Sequence, residues 1–136
     1  MFTERKKEIA VTVNYQYDNK SKVIHVHPSE CLSLKDIQKY FHKILADDTI
    51  EPGFIEVVHF DEVKDFSYSS DEALLVSVLV RELVDKKQNK GAVFVVKTEL
   101  QYGMARMLSI MAEDFFSISI VHAEDEVQIE IDKLLG

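Results

Sequence analysis

The sequence of 136 residues has little cysteine, proline and glycine, and each scarcity excludes a class of protein. The single cysteine, Cys31, has no partner for an internal disulfide, which excludes a disulfide scaffold and favours a reducing cytoplasm. Four glycines and two prolines are too few for a linker or a low-complexity chain. The charged start from Met1 to Glu8 lacks the apolar stretch of a signal peptide. No apolar run approaches the roughly 20 residues that span a bilayer, so we expect a cytoplasmic protein without membrane insertion.

Basic residues are also in the minority, with 16 Lys and Arg against 24 Asp and Glu, a net charge of −8. Nucleic acids and anionic membranes select basic surfaces, so this balance argues against both as partners. The acids are concentrated in residues 47–72, which hold nine of them and one base, Lys64. This stretch is either a solvated face or a surface for a partner with basic residues.

What the sequence does have is hydrophobic periodicity over its whole length, which predicts one domain with a full core. Alternation from Val11 to Tyr17 predicts a strand, and residues 22–27 return antiparallel after a polar turn. The further predicted elements are helix 34–46, strand 54–60, helix 70–88, strand 92–96, a helix from Thr98, strand 117–122 and a last helix after Glu124-Asp125-Glu126. Residues 61–68 are predicted as a polar loop. The order β-β-α-β-α-β-α-β-α requires crossovers, hence an α/β fold with a mostly parallel five-stranded sheet and an antiparallel leading strand.

Capping patterns mark the helix starts. They are Ser33 with Asp36, Ser69 with Glu72, and Thr98 with Gln101. The second helix is apolar almost all round between Ala73 and Val84, which predicts cover by the sheet and by a partner. The third helix is predicted to bury a stripe of Leu100, Met104, Met107, Leu108 and Met111.

Two segments carry a resemblance to a known family. They are Tyr102-Gly103-Met104-Ala105-Arg106-Met107 after the fourth strand and Val121-His122-Ala123-Glu124-Asp125-Glu126 before the last helix. With the element order, they resemble the STAS-like domains, which include bacterial anti-sigma-factor antagonists and small uncharacterised bacterial proteins. The resemblance implies a non-enzymatic regulatory module that binds another protein.

In the antagonists the third strand ends in an Asp, and a Ser at the start of the second helix is phosphorylated. Here His59 takes the place of that Asp, and the Gly of the serine motif is missing. Ser69 is the best match to the phosphorylated residue, and a shift of one residue moves the match to Ser70. The predicted regulatory or partner contacts are Asp61, Asp65, Ser67, Ser69 and Ser70. A phosphate would be favoured by the helix N-terminus and opposed by the neighbouring acids, and helix capping is the alternative role of these serines.

A second candidate site follows the fourth strand, where ligands of open parallel sheets bind at the carboxyl ends of strands. Its residues are Thr98, Gln101, Tyr102 and Arg106, which predict an anion or small-ligand site or, alternatively, a helix cap with packing.

No metal or cofactor is expected. His25 and His27 share a face of one strand, but no third ligand follows from the spacing, so we interpret the histidines as solvated or hydrogen-bonded. No catalytic motif is present. The sequence thus predicts a protein-interaction module, with a homodimer through the second helix, a small-ligand binder and an unrecognised enzyme as alternatives.

Overall fold

The computed structural model describes residues 13–136. Val11, in the first predicted strand, and the segment from Met1 to Glu8 lie outside the described residues. The elements are β1 (Val13–Asp18), β2 (Val23–Pro28), β3 (Cys31–Ser33), α1 (Leu34–Ala46), β4 (Ile55–His59), β5 (Asp65–Ser67), α2 (Ser70–Lys87), β6 (Gly91–Val95), α3 (Glu99–Ala112), β7 (Ile118–Val121) and α4 (Val127–Leu135). A 3-10 turn at Glu124–Glu126 leads into α4.

Five strands form one sheet in the order β1-β2-β4-β6-β7, with β1 antiparallel to β2 and the other neighbours parallel. This confirms the predicted α/β class and the antiparallel leading strand. Strands β4 and β6 are buried at every position, including Glu56 and His59 of β4, as expected for the middle of a parallel sheet.

Helices α1, α2 and α3 pack on one face of the sheet, and α4 packs on the other. The connections from β2 to β4, from β4 to β6 and from β6 to β7 all move in the same direction across the sheet. Right-handed crossovers therefore place their helices on the same side. Since α4 follows the last strand of the sheet, it is free to cover the opposite face. It does so through Val127, Ile131 and Leu134.

A second, two-stranded sheet pairs β3 with β5 in parallel. The sequence prediction of a polar loop over residues 61–68 is wrong at this point. Leu32 of β3 is buried and Phe66 of β5 is half-buried, so the pair extends the core beyond the carboxyl end of β2. Three-residue strands are too short to show a period, which is why the sequence pattern missed them.

The predicted caps are present at Ser33, Ser69 and Thr98. The predicted inner stripe of α3 is displaced, because the buried positions are Gln101, Ala105 and Ala112. Leu100 is 50% exposed. None of the helices described here has the length and apolar character of a membrane span.

Candidate functional site

The start of α2 brings the three predicted serines together. Ser69 is the N-cap, since its Oγ accepts from the backbone N–H of Glu72 at 3.2 Å while its own N–H donates to Glu72 Oε1 at 2.9 Å. Ser70 begins the helix and Ser67 ends β5, and both are exposed. The hydroxyl that best matches a phosphorylation site is therefore engaged in holding the helix start.

The loop between β4 and β5 presents the predicted acids to solvent. Asp61 and Asp65 are exposed, while Val63 between them is buried. The backbone N–H groups of Lys64 and Asp65 both donate to the carbonyl of Glu30, which ties the loop to the start of β3. The two carboxylates are thereby held on a defined surface next to the start of α2.

Gln101, predicted as part of an anion site, holds this same loop. It is 2% exposed, and its Nε2 donates to the carbonyls of Phe60 and Val63 at 2.9 and 2.8 Å. Its Oε1 accepts from the backbone N–H of Lys97 at 2.7 Å. The side chain thus cross-links the ends of β4 and β6, and it connects the two candidate sites physically.

The outer face of α2 exposes large apolar side chains. Leu74, Leu75 and Val78 are 53, 49 and 63% exposed. With Asp71 they follow the spacing i, i+3, i+4 and i+7, so they form one stripe that begins at an acid. We refer to Leu74, Leu75 and Val78 as the α2 outer face.

An open hollow of about 300 Å³ lies at the start of α3. Thr98 caps the helix by accepting from the N–H of Gln101 at 3.2 Å. Tyr102 stacks on His122 with ring centroids 5.7 Å apart, and Lys97 also lines the hollow. Arg106 lies one turn after Tyr102 and is exposed.

A cluster of three histidines and a glutamate lies on the α4 face of the sheet. His59 is 8% exposed; its Nδ1 lies 2.9 Å from Glu124 Oε2 and its Nε2 lies 3.1 Å from His25 Nδ1. The ring of His27 stacks on His59 with centroids 4.6 Å apart and planes within 6°. The shared face of His25 and His27 was visible in the sequence, but the register that brings His59 beside them was not.

A buried carboxyl group lies on the other face of the sheet. Glu56 of β4 is 5% exposed; it accepts from the Tyr40 hydroxyl at 2.5 Å and from Asn89 Nδ2 at 2.6 Å. Burial raises the pKa of Glu56, although both hydrogen bonds act to lower it. Sequence reasoning counted Glu56 among surface acids, and the signal it overlooked is an acid in the middle of an apolar strand.

A core cavity of about 80 Å³ lies next to this group, between the sheet and helices α1 to α3. Apart from Glu56 its walls are almost entirely apolar, with Val58 and Phe94 contributed by the strands and Phe60 by the residue directly after β4.

The acids of residues 47–72 do not form a single surface. Glu56 is buried, and the loops before and after β4 lie at opposite ends of that strand. Asp47 accepts from Tyr15 and Thr49, and its pKa is lowered by the bonds from Thr49 and then by that from Tyr15. The acids that surround the start of α2 are Asp61, Glu62, Asp65, Asp71 and Glu72.

Comparison with known proteins supports the fold. No protein-family model matches the chain, and no curated protein matches it. Among solved structures, the chain is similar to an uncharacterised protein of the DUF3478 family from Shewanella loihica PV-4, which has a SpoIIAA-like fold. The match has 11% sequence identity and a TM-score of 0.55, and it covers 88% of this chain and 91% of that one. The predicted STAS-like fold is thereby confirmed, and at this identity the likeness speaks for the fold alone.

Proposed function

We propose that this protein is a cytoplasmic, non-enzymatic regulatory module that binds a protein partner through the α2 outer face. The observation that carries the proposal is the stripe of Leu74, Leu75 and Val78, each about half exposed on a helix whose other apolar side chains are buried or half-buried. Covering the exposed part of each side chain would contribute on the order of 1 kcal/mol, which is typical of the apolar centre of an interface. The exposed thiol of Cys31 fits a reducing compartment.

The surroundings of this stripe select the partner. Asp71 begins the stripe, and Asp61 and Asp65 lie on the adjoining loop, which Gln101 holds in place. A partner that presents an apolar patch edged by Lys or Arg complements both features. A second copy of this chain is the alternative occupant, and a pairing that brings the starts of both α2 helices together would set the acids of the two copies against each other.

The serines contribute to the proposed surface without modification. Ser69 maintains the helix start, and Ser67 and Ser70 lie at the rim between the acids and the stripe. A phosphate here would add a dianion beside Asp71 and Glu72, which weakens the case for the phosphoswitch of the antagonists.

Site-specific photo-crosslinking tests the proposal. A photoreactive phenylalanine analogue is placed at Val78 or, as a matched control, at Ile129, which is 58% exposed on α4. In extracts of the source cell, position 78 should give one adduct of defined mass that position 129 does not give. An adduct of twice the chain mass would instead identify a homodimer, and the absence of an adduct specific to position 78 would overturn the proposal.

The partner identified in this way allows the contacts to be measured. Val78→Glu should weaken binding at least 100-fold, whereas Ile129→Glu should leave it unchanged. Asp61→Lys or Asp65→Lys should weaken binding several-fold at low salt, and this difference should shrink as salt is added. Equal effects of the substitutions at 78 and 129 would contradict the assignment of the surface.

The hollow at the start of α3 supports a second candidate function, the binding of a small anion. Lys97 and the stacked pair of Tyr102 and His122 line a space next to a helix N-terminus, with the carboxylate of Glu99 opposing an anion there. Inorganic phosphate should raise the melting temperature if this site functions, and Arg106→Ala should abolish the rise. An equal rise in the variant would exclude Arg106 from the site.

A further inference from the structure

A groove of about 600 Å³ lies on the α4 face of the sheet, away from the α2 outer face. It exists because α4 covers the centre of the sheet, over β4 and β6, and leaves His25 of β2 only half-buried beside it. Val23 of β2 and Val127 and Ile131 of α4 form its apolar middle, where they are largely buried, and the half-exposed Leu135 adds accessible apolar surface. Lys20, in the turn between β1 and β2, lies at one end, and the cluster around His59 lies at the other.

The hydrogen bonds of this cluster constrain where its protons lie. An ionised carboxylate can only accept, so Nδ1 of His59 donates to Glu124. With both His59 and His25 neutral, Nδ1 of His25 donates to Nε2 of His59, and Nε2 of His25 is an acceptor. Within residues 13–136, no protein donor is found for this atom. In this form the cluster presents one imidazole acceptor to the groove.

Neutral His25 is the form that this network needs. Burial lowers the pKa of His25, and so does repulsion from His59 and His27 when those rings are charged, against the smaller opposing effects of Asp18 and Glu124. His25 is therefore uncharged at neutral pH, and one of its ring nitrogens carries a lone pair.

The same geometry argues against a metal ion. The rings of His27 and His59 are stacked within 6° of parallel, so their in-plane lone pairs cannot converge on one point. Across the described part of the chain, no group of three or more His, Cys, Asp or Glu side chains is placed to hold a metal ion.

We propose that this groove binds an uncharged small molecule with an apolar body and a hydroxyl group, which donates a hydrogen bond to Nε2 of His25. The apolar middle accommodates the body, and a volume of this size is in the usual range of ligand sites. Of the charged side chains that line the groove, the acids Asp18 and Glu124 outnumber Lys20 and disfavour an anionic head group, whereas a hydroxyl supplies the missing donor without charge.

Two probes that differ in the hydroxyl group test the proposal. Calorimetric titration compares 4-propylphenol with its methyl ether, 4-propylanisole, on the full chain. The phenol should bind roughly tenfold more tightly than the ether, which corresponds to one net hydrogen bond. His25→Phe should remove this preference, while His42→Phe, on the exposed side of α1, should preserve it.

A second variant distinguishes binding of the phenol in the groove from binding in the core cavity. Gln128 is exposed and lines the groove, so Gln128→Trp should fill it without disturbing the core and weaken phenol binding at least tenfold. Equal affinity for the two probes, or phenol binding that survives both His25→Phe and Gln128→Trp, would overturn the proposal. Should His25→Phe not fold, the probe comparison in the wild type and the Gln128 variant still decides the outcome.

Discussion

The buried group of Glu56, Tyr40 and Asn89 allows a quantitative prediction about stability. Tyr40→Phe removes the hydroxyl that donates to Glu56 Oε2 and adds no new contact. Both residues are at least nine-tenths buried, so water does not replace the lost donor. A hydrogen bond to a buried charged group contributes about 1.5–3 kcal/mol to the free energy of unfolding. For a chain of 136 residues, a loss of about 2 kcal/mol lowers the melting temperature by roughly 7 °C.

Glu56→Gln should behave differently. The amide oxygen still accepts from Asn89, and the amide nitrogen can donate to the oxygen of Tyr40, so both contacts survive without a buried charge. Burial raises the pKa of Glu56, which means that the folded protein binds this proton more readily than the unfolded chain does. The contribution of Glu56 is therefore fully present below the unfolded value of 4.5 and is lost as pH rises through the folded pKa. Glu56→Gln should remove this loss and be neutral or stabilising at pH 7.

Urea unfolding at pH 7, followed by circular dichroism, measures the free energy of unfolding for the four proteins in a double-mutant cycle of Tyr40→Phe and Glu56→Gln. In the Glu56→Gln background, Tyr40→Phe should cost only about 1 kcal/mol, the value of a neutral hydrogen bond. Tyr68→Phe is the matched control, since Tyr68 is half-buried and its hydroxyl has no hydrogen-bond partner within residues 13–136. A cost below 0.5 kcal/mol for Tyr40→Phe, or an equal cost for Glu56→Gln, would refute the reasoning.

Three further measurements address other sites. Gln101→Leu removes three hydrogen bonds and should lower the free energy of unfolding by about 3 kcal/mol. Amide exchange at Val63 should become faster, and unchanged exchange there would show that Gln101 does not hold the loop. Ser69→Ala should cost about 1 kcal/mol in denaturant unfolding and Ser70→Ala close to nothing, because Ser69 provides the cap; equal costs would contradict this. The pKa of His25 is lower in the folded protein than in the unfolded chain. As pH drops, His25 is therefore protonated first in the unfolded chain, so the free energy of unfolding should fall below about pH 6.5. The fall should be smaller in His25→Phe, and an identical pH profile would assign it to other groups.

Elements with a clear period or a cap were predictable from the sequence. The helix 34–46 was placed with its bounds unchanged, because Ser33 marks its start and its apolar residues recur at helical spacing. The number and the directions of the strands in the five-stranded sheet followed from the alternation of strands and helices. These signals are local, and the right-handedness of the crossovers then determines on which side of the sheet the connecting helices pack.

The candidate sites were less predictable, because they depend on register. His27 lies beside His59 only because β2 aligns His25 with Val57, and a shift by one residue would place the two sets on opposite faces. Gln101 was read as a cap partner, and the loop carbonyls that it binds lie 38 and 41 residues away in the chain. Contacts at this separation leave no periodic signal in one sequence.

The position of α4 has a consequence for local unfolding. This helix has nine residues and rests on the sheet through a few aliphatic side chains, so we expect it to open as a unit well below the free energy of global unfolding. Opening would expose the strip of Val57, Val93 and Val95 on adjacent parallel strands, a surface on which other chains can aggregate. A ligand held between β2 and α4 would oppose this opening by mass action, and native-state hydrogen exchange of α4 would record its occupancy.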